Sequence, residues 1–396
     1  MTEGHRGWTL VFALAAAQLV SWGSIYYSFS LFVVPMEQEL GWSRTALNGA
    51  LSAGLALAGL ASYPVGAWID RAGGRAVMSL GSALGAILLF AWSHIGALGA
   101  FYAVWMGLGL ALAATLYEPG FAVLARLYPD HYRQRITAMT LVGGFASTVF
   151  IPLTAVTIEA WGWRNALVML ALANALFCLP VHGLWLRDRA VAGAPQRRGG
   201  ALFDEHFRRA LAHPAFWGLG ISFTMYGAVA SALTFHIIPL LEERHVPTAT
   251  IVASIAVFGP AQVAGRIALL ALGRRAGAVR VGRLGFTVLP ASILLLLLPP
   301  APATLFVFYL LFGAANGVIT VVRGTAVPEL LWRESYGAIN GALTLPTNLA
   351  RAVAPWGAAL LWSAAGSYDA VLWACLGVGA VSCAGFWYAS VRSERA

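Results

Sequence analysis

Apolar residues in this chain run in blocks far longer than a strand or an amphipathic helix needs. Twelve such blocks fall at roughly 9–35, 44–69, 76–94, 97–125, 135–159, 164–187, 214–241, 248–272, 280–299, 302–328, 335–362 and 367–391. About 20 mainly apolar residues suffice for a helix to cross the hydrocarbon core of a bilayer, so each block predicts one membrane span. The polar breaks are short except for 188–213, which carries Pro195, Arg189, Arg197, Arg198, Arg208 and Arg209. The expectation is an all-α membrane protein with twelve transmembrane helices. Residues 1–187 form one six-helix bundle, 188–213 a cytoplasmic linker and 214–396 a second six-helix bundle.

Composition strengthens that reading. The chain is 59% hydrophobic and 10% charged, whereas average soluble chains are about a quarter charged. Its net charge is +9 and every basic residue is Arg. Most of the arginines sit in the polar breaks between apolar blocks instead of gathering on one face, which argues against nucleic acid as a partner. Their distribution sets an orientation. With the N-terminus inside, the cytoplasmic segments hold Arg6, Arg71, Arg75, Arg126, Arg133, Arg135, the linker arginines, Arg274, Arg275, Arg280, Arg283, Arg333, Arg392 and Arg395. The opposite side keeps Arg44, Arg164 and Arg244. This positive-inside bias places both termini in the cytoplasm of a cell with the protein in its inner (plasma) membrane. The first block is too long for the apolar core of a cleavable signal, so it is expected to stay as a span.

No enzyme constellation emerges. Cys178, Cys375 and Cys383 lie inside apolar blocks without metal-ligand spacing, and no H-E-x-x-H, G-x-S-x-G or phosphate-binding G-x-x-x-x-G-K-[ST] occurs. No cofactor or metal is expected, and without a nucleotide loop a gradient must supply the energy for any transport. A weak repeat links the halves: Val33-Val-Pro35 returns as Ile237-Ile-Pro239, and Asn165-Ala166-Leu167 as Asp369-Ala370-Val371, both offset by 204 residues. Parallel repeats of this kind build a binding site near the midplane between two halves that rock.

Several motifs carry a family resemblance. The loop Gly66-Ala-Trp-Ile-Asp70-Arg71-Ala-Gly73-Gly74-Arg75 resembles the major facilitator superfamily signature G-x-x-x-D-R-x-G-R-[RK], with Gly74 in place of the usual basic residue. The start Glu3-Gly4-His-Arg-Gly7-Trp8 is similar to the [DE]-G-x-x-[GA]-W opening of the monocarboxylate transporter family. The run from Phe29 to Arg44 is similar to bacterial members of that family and to oxalate/formate antiporters. Gln262-Val-Ala-Gly-Arg266 stands where those families carry a membrane-embedded Arg, with Gln262 at the position of an Asp in animal members. The resemblance implies the major facilitator fold, two pseudo-symmetric six-helix bundles, and a transporter functional as a monomer.

Charges at membrane depth are costly and mark function by default. Of sixteen acids only Glu118 lies deep in a span, together with Arg266, Arg323 and Arg351. In the superfamily fold, spans eight and eleven approach one cavity. Arg266 and Arg351 there suit an anionic substrate, because a guanidinium stays charged and clamps a carboxylate through two parallel hydrogen bonds. The competing reading is that each Arg neutralises a helix C-terminus or snorkels to the surface. Trp22, Tyr26 and Tyr27 in span one, Tyr226 in span seven, Asn316 in span ten and Asn348 in span eleven are further candidates to line a ligand cavity. Glu118 is a candidate proton carrier or a gating partner of Arg323, against a purely structural pair with Arg126 or Arg323. Asp70, Arg71 and Arg75 are candidate cytoplasmic latch residues, with Asp70 paired to an Arg of span four or eleven.

The expected function is therefore secondary active transport of a small organic anion, a monocarboxylate first of all, by alternating access, with the proton as candidate co-substrate of a symporter. The alternatives are proton-driven efflux of an amphipathic metabolite or drug and, from another class, a membrane sensor or receptor reusing the fold.

Overall fold

The computed structural model describes residues 3–186, 205–272 and 277–393. Among the described residues every regular element is helical: sixteen α-helices interrupted by three π-helical turns. The expected linker lies outside the described residues up to 204, with Arg189, Arg197 and Arg198. Arg274, Arg275 and Arg395 lie outside them as well. The last part of the expected linker is helix α9, Glu205–Ala212, which appears below in its place along the chain.

The chain divides into two compact units, Met1–Asp204 with Ser335–Leu345, and Glu205–Glu334 with Pro346–Ala396. In the first unit, α1 (Glu3–Ser21), a π turn (Trp22–Tyr27) and α2 (Phe29–Leu40) make one uninterrupted span. It ends at Gly41, whose φ of 69° is the left-handed conformation that closes a helix without a Cβ clash. The hydroxyl of Ser43 then accepts from the Ala46 N–H and opens α3 (Arg44–Ala72). After α3 come α4 (Gly74–Ser93), α5 (Leu98–Thr115), α6 (Tyr117–Leu127), α7 (Tyr132–Gly143) and α8 (Ala146–Ala173). Two π turns, Asn174–Cys178 and Val181–Trp185, complete the last span of this unit. Within α8 the chain turns at Gly162, φ 78° and ψ 162°, so this element holds parts of two spans.

In the second unit, α9 leads into α10 (Pro214–Glu243), α11 (Thr248–Ile255), α12 (Phe258–Leu272), α13 (Ala278–Leu297), α14 (Pro302–Leu330), α15 (Tyr336–Ala365) and α16 (Tyr368–Ser393). The first turns of α15 cluster with the first unit and the remainder with the second.

Ten described stretches are long and apolar enough to cross a membrane. One of them, 132–185, is 54 residues long, enough for two crossings at about 20 residues each, and α15 supplies another. The described residues thus supply the twelve membrane-crossing helices. Leu176 at 74%, Leu284 at 67% and Leu184 at 66% remain exposed in the protein alone, the arrangement expected where lipid tails cover the surface.

Small residues let the helices approach. A Cβ on Gly109 of α5 would lie 2.0 Å from the Gly54 carbonyl oxygen of α3, so this crossing is backbone against backbone. Around it, Phe29, Trp92, Trp105 and Phe101 interlock edge-to-face or tilted, with centroids 4.8 to 6.1 Å apart. Such pairs contribute roughly 0.5–1.5 kcal/mol each beyond the area they bury.

One end of each unit is tied by the same device. Glu39 accepts from the Trp163 indole and from Arg164, which also donates to the Ser93 and Ile95 carbonyls at the end of α4. Glu243, 204 positions later, accepts from the Trp362 indole and the Tyr368 N–H, while Arg244 bonds Asp369 and the Leu296 carbonyl at the end of α13. The three arginines that sequence places on the arginine-poor side, Arg44, Arg164 and Arg244, are all ion-paired here, to Glu37, Glu39 and Asp369.

Candidate functional site

Four helices of the second unit bring the deep polar residues together. Tyr226 of α10 is 3% exposed, and the Asn316 side chain of α14 lies near its hydroxyl. Arg266 of α12, Arg323 of α14 and Arg351 of α15 all lie within electrostatic reach of that hydroxyl. Arg266 is 3% and Arg323 8% exposed, and Arg351 is half-buried. Arg266 donates to Gln262 Oε1, one turn earlier, at 3.2 Å. The Arg351 stem lies against α10: a Cβ on Gly227 would sit 3.3 Å from its Cγ and 2.9 Å from Thr347 Cγ2. Asn348 stands three residues before Arg351, on the same face of α15.

These four helices carry few acids of their own. Helices α12 and α15 contain no acid, α10 has only Glu242 and Glu243 at its end, and α14 has only Glu329. Glu329 is six residues beyond Arg323, about 9 Å along a helix at 1.5 Å per residue. Bringing like charges together away from water is expensive. A bound anion with two or more acceptor oxygens relieves such a cost through charge-assisted hydrogen bonds.

The first unit presents a different surface. Trp22 packs against Tyr26, Tyr27 and Tyr117 with centroids 5.2 to 5.8 Å apart, and Tyr26 packs edge-on against Tyr27 at 5.3 Å. An α-helix predicts that Trp22 meets Tyr26 alone, four residues on. The π turn adds a residue to the turn, so Trp22 meets both tyrosines. Ser28 holds the turn: its hydroxyl donates to the Gly23 carbonyl at 2.7 Å and accepts from the Thr154 hydroxyl at 2.9 Å. Gly23 is obligatory there, because a Cβ would lie 2.2 Å from the Phe150 ring. The buried Trp22 indole N–H has no hydrogen-bond partner among the described residues.

Glu118 is half-buried in the first turn of α6, next to a break at Leu116 where span four leaves the helical conformation. Pro119 lacks the N–H that would bond the Thr115 carbonyl. Gln18 of α1 takes over, donating to Thr115 O at 2.6 Å and Leu116 O at 3.1 Å. Sequence reading did not single out Gln18 for this role.

Asp70 sits in the last turn of α3 and caps another helix. Its Oδ1 accepts from the Gly337 N–H at 2.9 Å and its Oδ2 from the Ala338 N–H at 2.8 Å, at the start of α15. A carboxylate at a helix N-terminus satisfies unpaired donors and complements the dipole. Arg126 of span four bonds the main-chain carbonyls of Ile69 and Asp70. The contact of this carboxylate with span eleven includes these backbone amides. Arg71 and Arg75 are exposed beside it.

A chain of twelve membrane-crossing helices with polar and charged groups held at depth is a multi-pass membrane protein built as a transporter. The profile of the Major Facilitator Superfamily matches residues 14–289, and the chain belongs to that family; it is a secondary transporter and not an enzyme. Among curated proteins it is 24% identical over 423 residues to Monocarboxylate transporter 10 of Danio rerio, covering 99% of this chain and 80% of that one. It is 23% identical over 388 residues to the MFS-type transporter YcxA of Bacillus subtilis, covering 93% and 90%. Among solved structures it aligns with the human organic anion transporter MFSD10 at a TM-score of 0.74 and 18% identity, covering 98% and 100% of the two chains. With the transporter FucP in its outward conformation the TM-score is 0.72 at 14% identity.

Proposed function

We propose that this protein carries a small organic anion, a monocarboxylate first of all, across the inner membrane by alternating access, with a proton as co-substrate. The observation that carries the reading is the convergence of Arg266, Arg323 and Arg351 on the Tyr226–Asn316 pair, on helices almost free of acids. Distant similarity to monocarboxylate transporters supports the same class of cargo.

In this reading Arg266 and Arg351 clamp the carboxylate, Tyr226 and Asn316 orient it, and Asn348 stands one turn from the clamp. The aromatic group of Trp22, Tyr26 and Tyr27 contacts the apolar body of the cargo at another stage of the cycle. Asp70, capping α15, stabilises the state with the cytoplasmic side closed, and Arg71 and Arg75 flank that latch. Glu118 takes up and releases the proton, and Arg323 serves the gate.

Replacing either Arg266 or Arg351 with Gln should abolish uptake of the transported carboxylate while the protein still reaches the membrane. Undiminished uptake by Arg266→Gln would remove the anion clamp. Glu118→Gln should flatten the dependence of uptake on external pH, and an unaltered profile would assign Glu118 to helix architecture alone.

A further inference from the structure

Pro355 interrupts α15 one turn beyond Arg351. In an α-helix the N–H of residue 355 would bond the carbonyl of residue 351, and proline has none to give. The carbonyl left over belongs to the residue whose guanidinium is the proposed clamp. It is not left empty: Ser231 of α10 donates its hydroxyl to Arg351 O at 2.7 Å. One turn further along both helices, His236 Nε2 bonds the Pro355 carbonyl at 2.8 Å, and Nδ1 bonds the Tyr368 hydroxyl at 3.1 Å. Nε2 must be the donor, because a carbonyl has no hydrogen to offer.

We propose that Ser231 is a positioning residue for Arg351: its hydroxyl replaces the amide hydrogen that Pro355 removes and so sets the backbone from which the Arg351 guanidinium reaches its anion. The inference rests on the anion-clamp reading for its functional consequence. The replaced hydrogen bond itself is independent of that reading. The same construction appears in the first unit, where Gln18 supplies the Thr115 carbonyl released by Pro119, beside Glu118. In each case a proline breaks the span next to a deep charge and a side chain of the unit's first span repairs the break. His236 adds a second tether one turn away, so α10 grips α15 on both sides of the proline.

The geometry makes an unusual demand. Restoring an amide hydrogen at 355 should make Ser231 dispensable. The experiment is a four-member cycle of wild type, Ser231→Ala, Pro355→Ala and the double variant, with Ser231→Thr as the conservative control. Two quantities are read on purified protein: the KM and kcat for radiolabelled L-lactate uptake into proteoliposomes under an inward proton gradient, and the thermal unfolding midpoint. Ser231→Ala should raise KM roughly tenfold, the size set by one hydrogen bond to a buried carbonyl, with kcat changed less. Ser231→Thr should stay near wild type. In the Pro355→Ala background, Ser231→Ala should change neither KM nor the midpoint.

Equal effects of Ser231→Ala in both backgrounds, or an unchanged KM in the wild-type background, would overturn the proposal. If wild type takes up no lactate, lactate is not its cargo. The midpoint cycle then decides the repair by itself, with non-additivity upholding it and additivity overturning it.

Discussion

Gln18 and Ser231 show how much of the site is backbone management. Each is an uncharged side chain on the first span of its unit, and each spends its hydrogen on a carbonyl that a proline has released in another span. Inside a bilayer no water is at hand to do this, so an unmet carbonyl costs about as much as a broken hydrogen bond in a protein core. Gln18→Leu, which keeps the bulk and removes the amide, should therefore lower stability by about 1–3 kcal/mol, read as a drop in the thermal unfolding midpoint in detergent. An unchanged midpoint would mean that the Thr115 and Leu116 carbonyls find other donors. The deep charges themselves were legible in the sequence, because Glu118, Arg266, Arg323 and Arg351 stand alone in apolar blocks. Their supports were not. Pro355 points to the carbonyl at 351, yet nothing near it in the chain says that the donor is Ser231, 120 positions away.

At the scale of elements, the spans were readable because hydropathy over about 20 residues does not depend on what a helix packs against. The irregular turns were not, since they depend on distant partners. The π turn at 22–27 forms where Gly23 lies under Phe150 and Ser28 meets Thr154, and it changes which tyrosines Trp22 touches. The seam between 159 and 164 reads as a short break in sequence and is a single glycine corner at Gly162 within an otherwise helical stretch. Close crossings follow the same rule: Gly54 and Gly109 are ordinary small residues in sequence and a backbone contact in the fold. Gly109→Val should force α3 from α5 and sharply reduce the monodisperse fraction recovered in detergent, whereas Ala97→Val, at the cap before α5, should not. Equal recovery of both would argue that this crossing yields easily.

At the scale of the molecule, the repeat read from two short segments offset by 204 residues extends to the ties that hold each unit. Glu39 and Glu243 occupy corresponding positions and accept an indole N–H in each unit. The Asp70 cap on the start of α15 has no acidic counterpart in the sequence near Gly273, a stretch outside the described residues, so the proposed latch is asymmetric. The orientation read from the arginines makes a separate prediction: a fluorescent protein fused to the C-terminus should fold and fluoresce in the cytoplasm, while alkaline phosphatase at the same place should be inactive. The reverse pattern would invert the assignment of the latch to the cytoplasmic side.

The central claim is that Arg266 and Arg351 select an anion and that a gradient moves it. The most direct measurement is accumulation of radiolabelled carboxylates, short-chain and aromatic, in proteoliposomes of the purified protein under an imposed proton gradient. Accumulation of at least one carboxylate above its equilibrium level, competed by other carboxylates and not by their amides, is the predicted result. Uptake of the amides or of organic cations with equal efficiency, with no carboxylate accumulated, would contradict it.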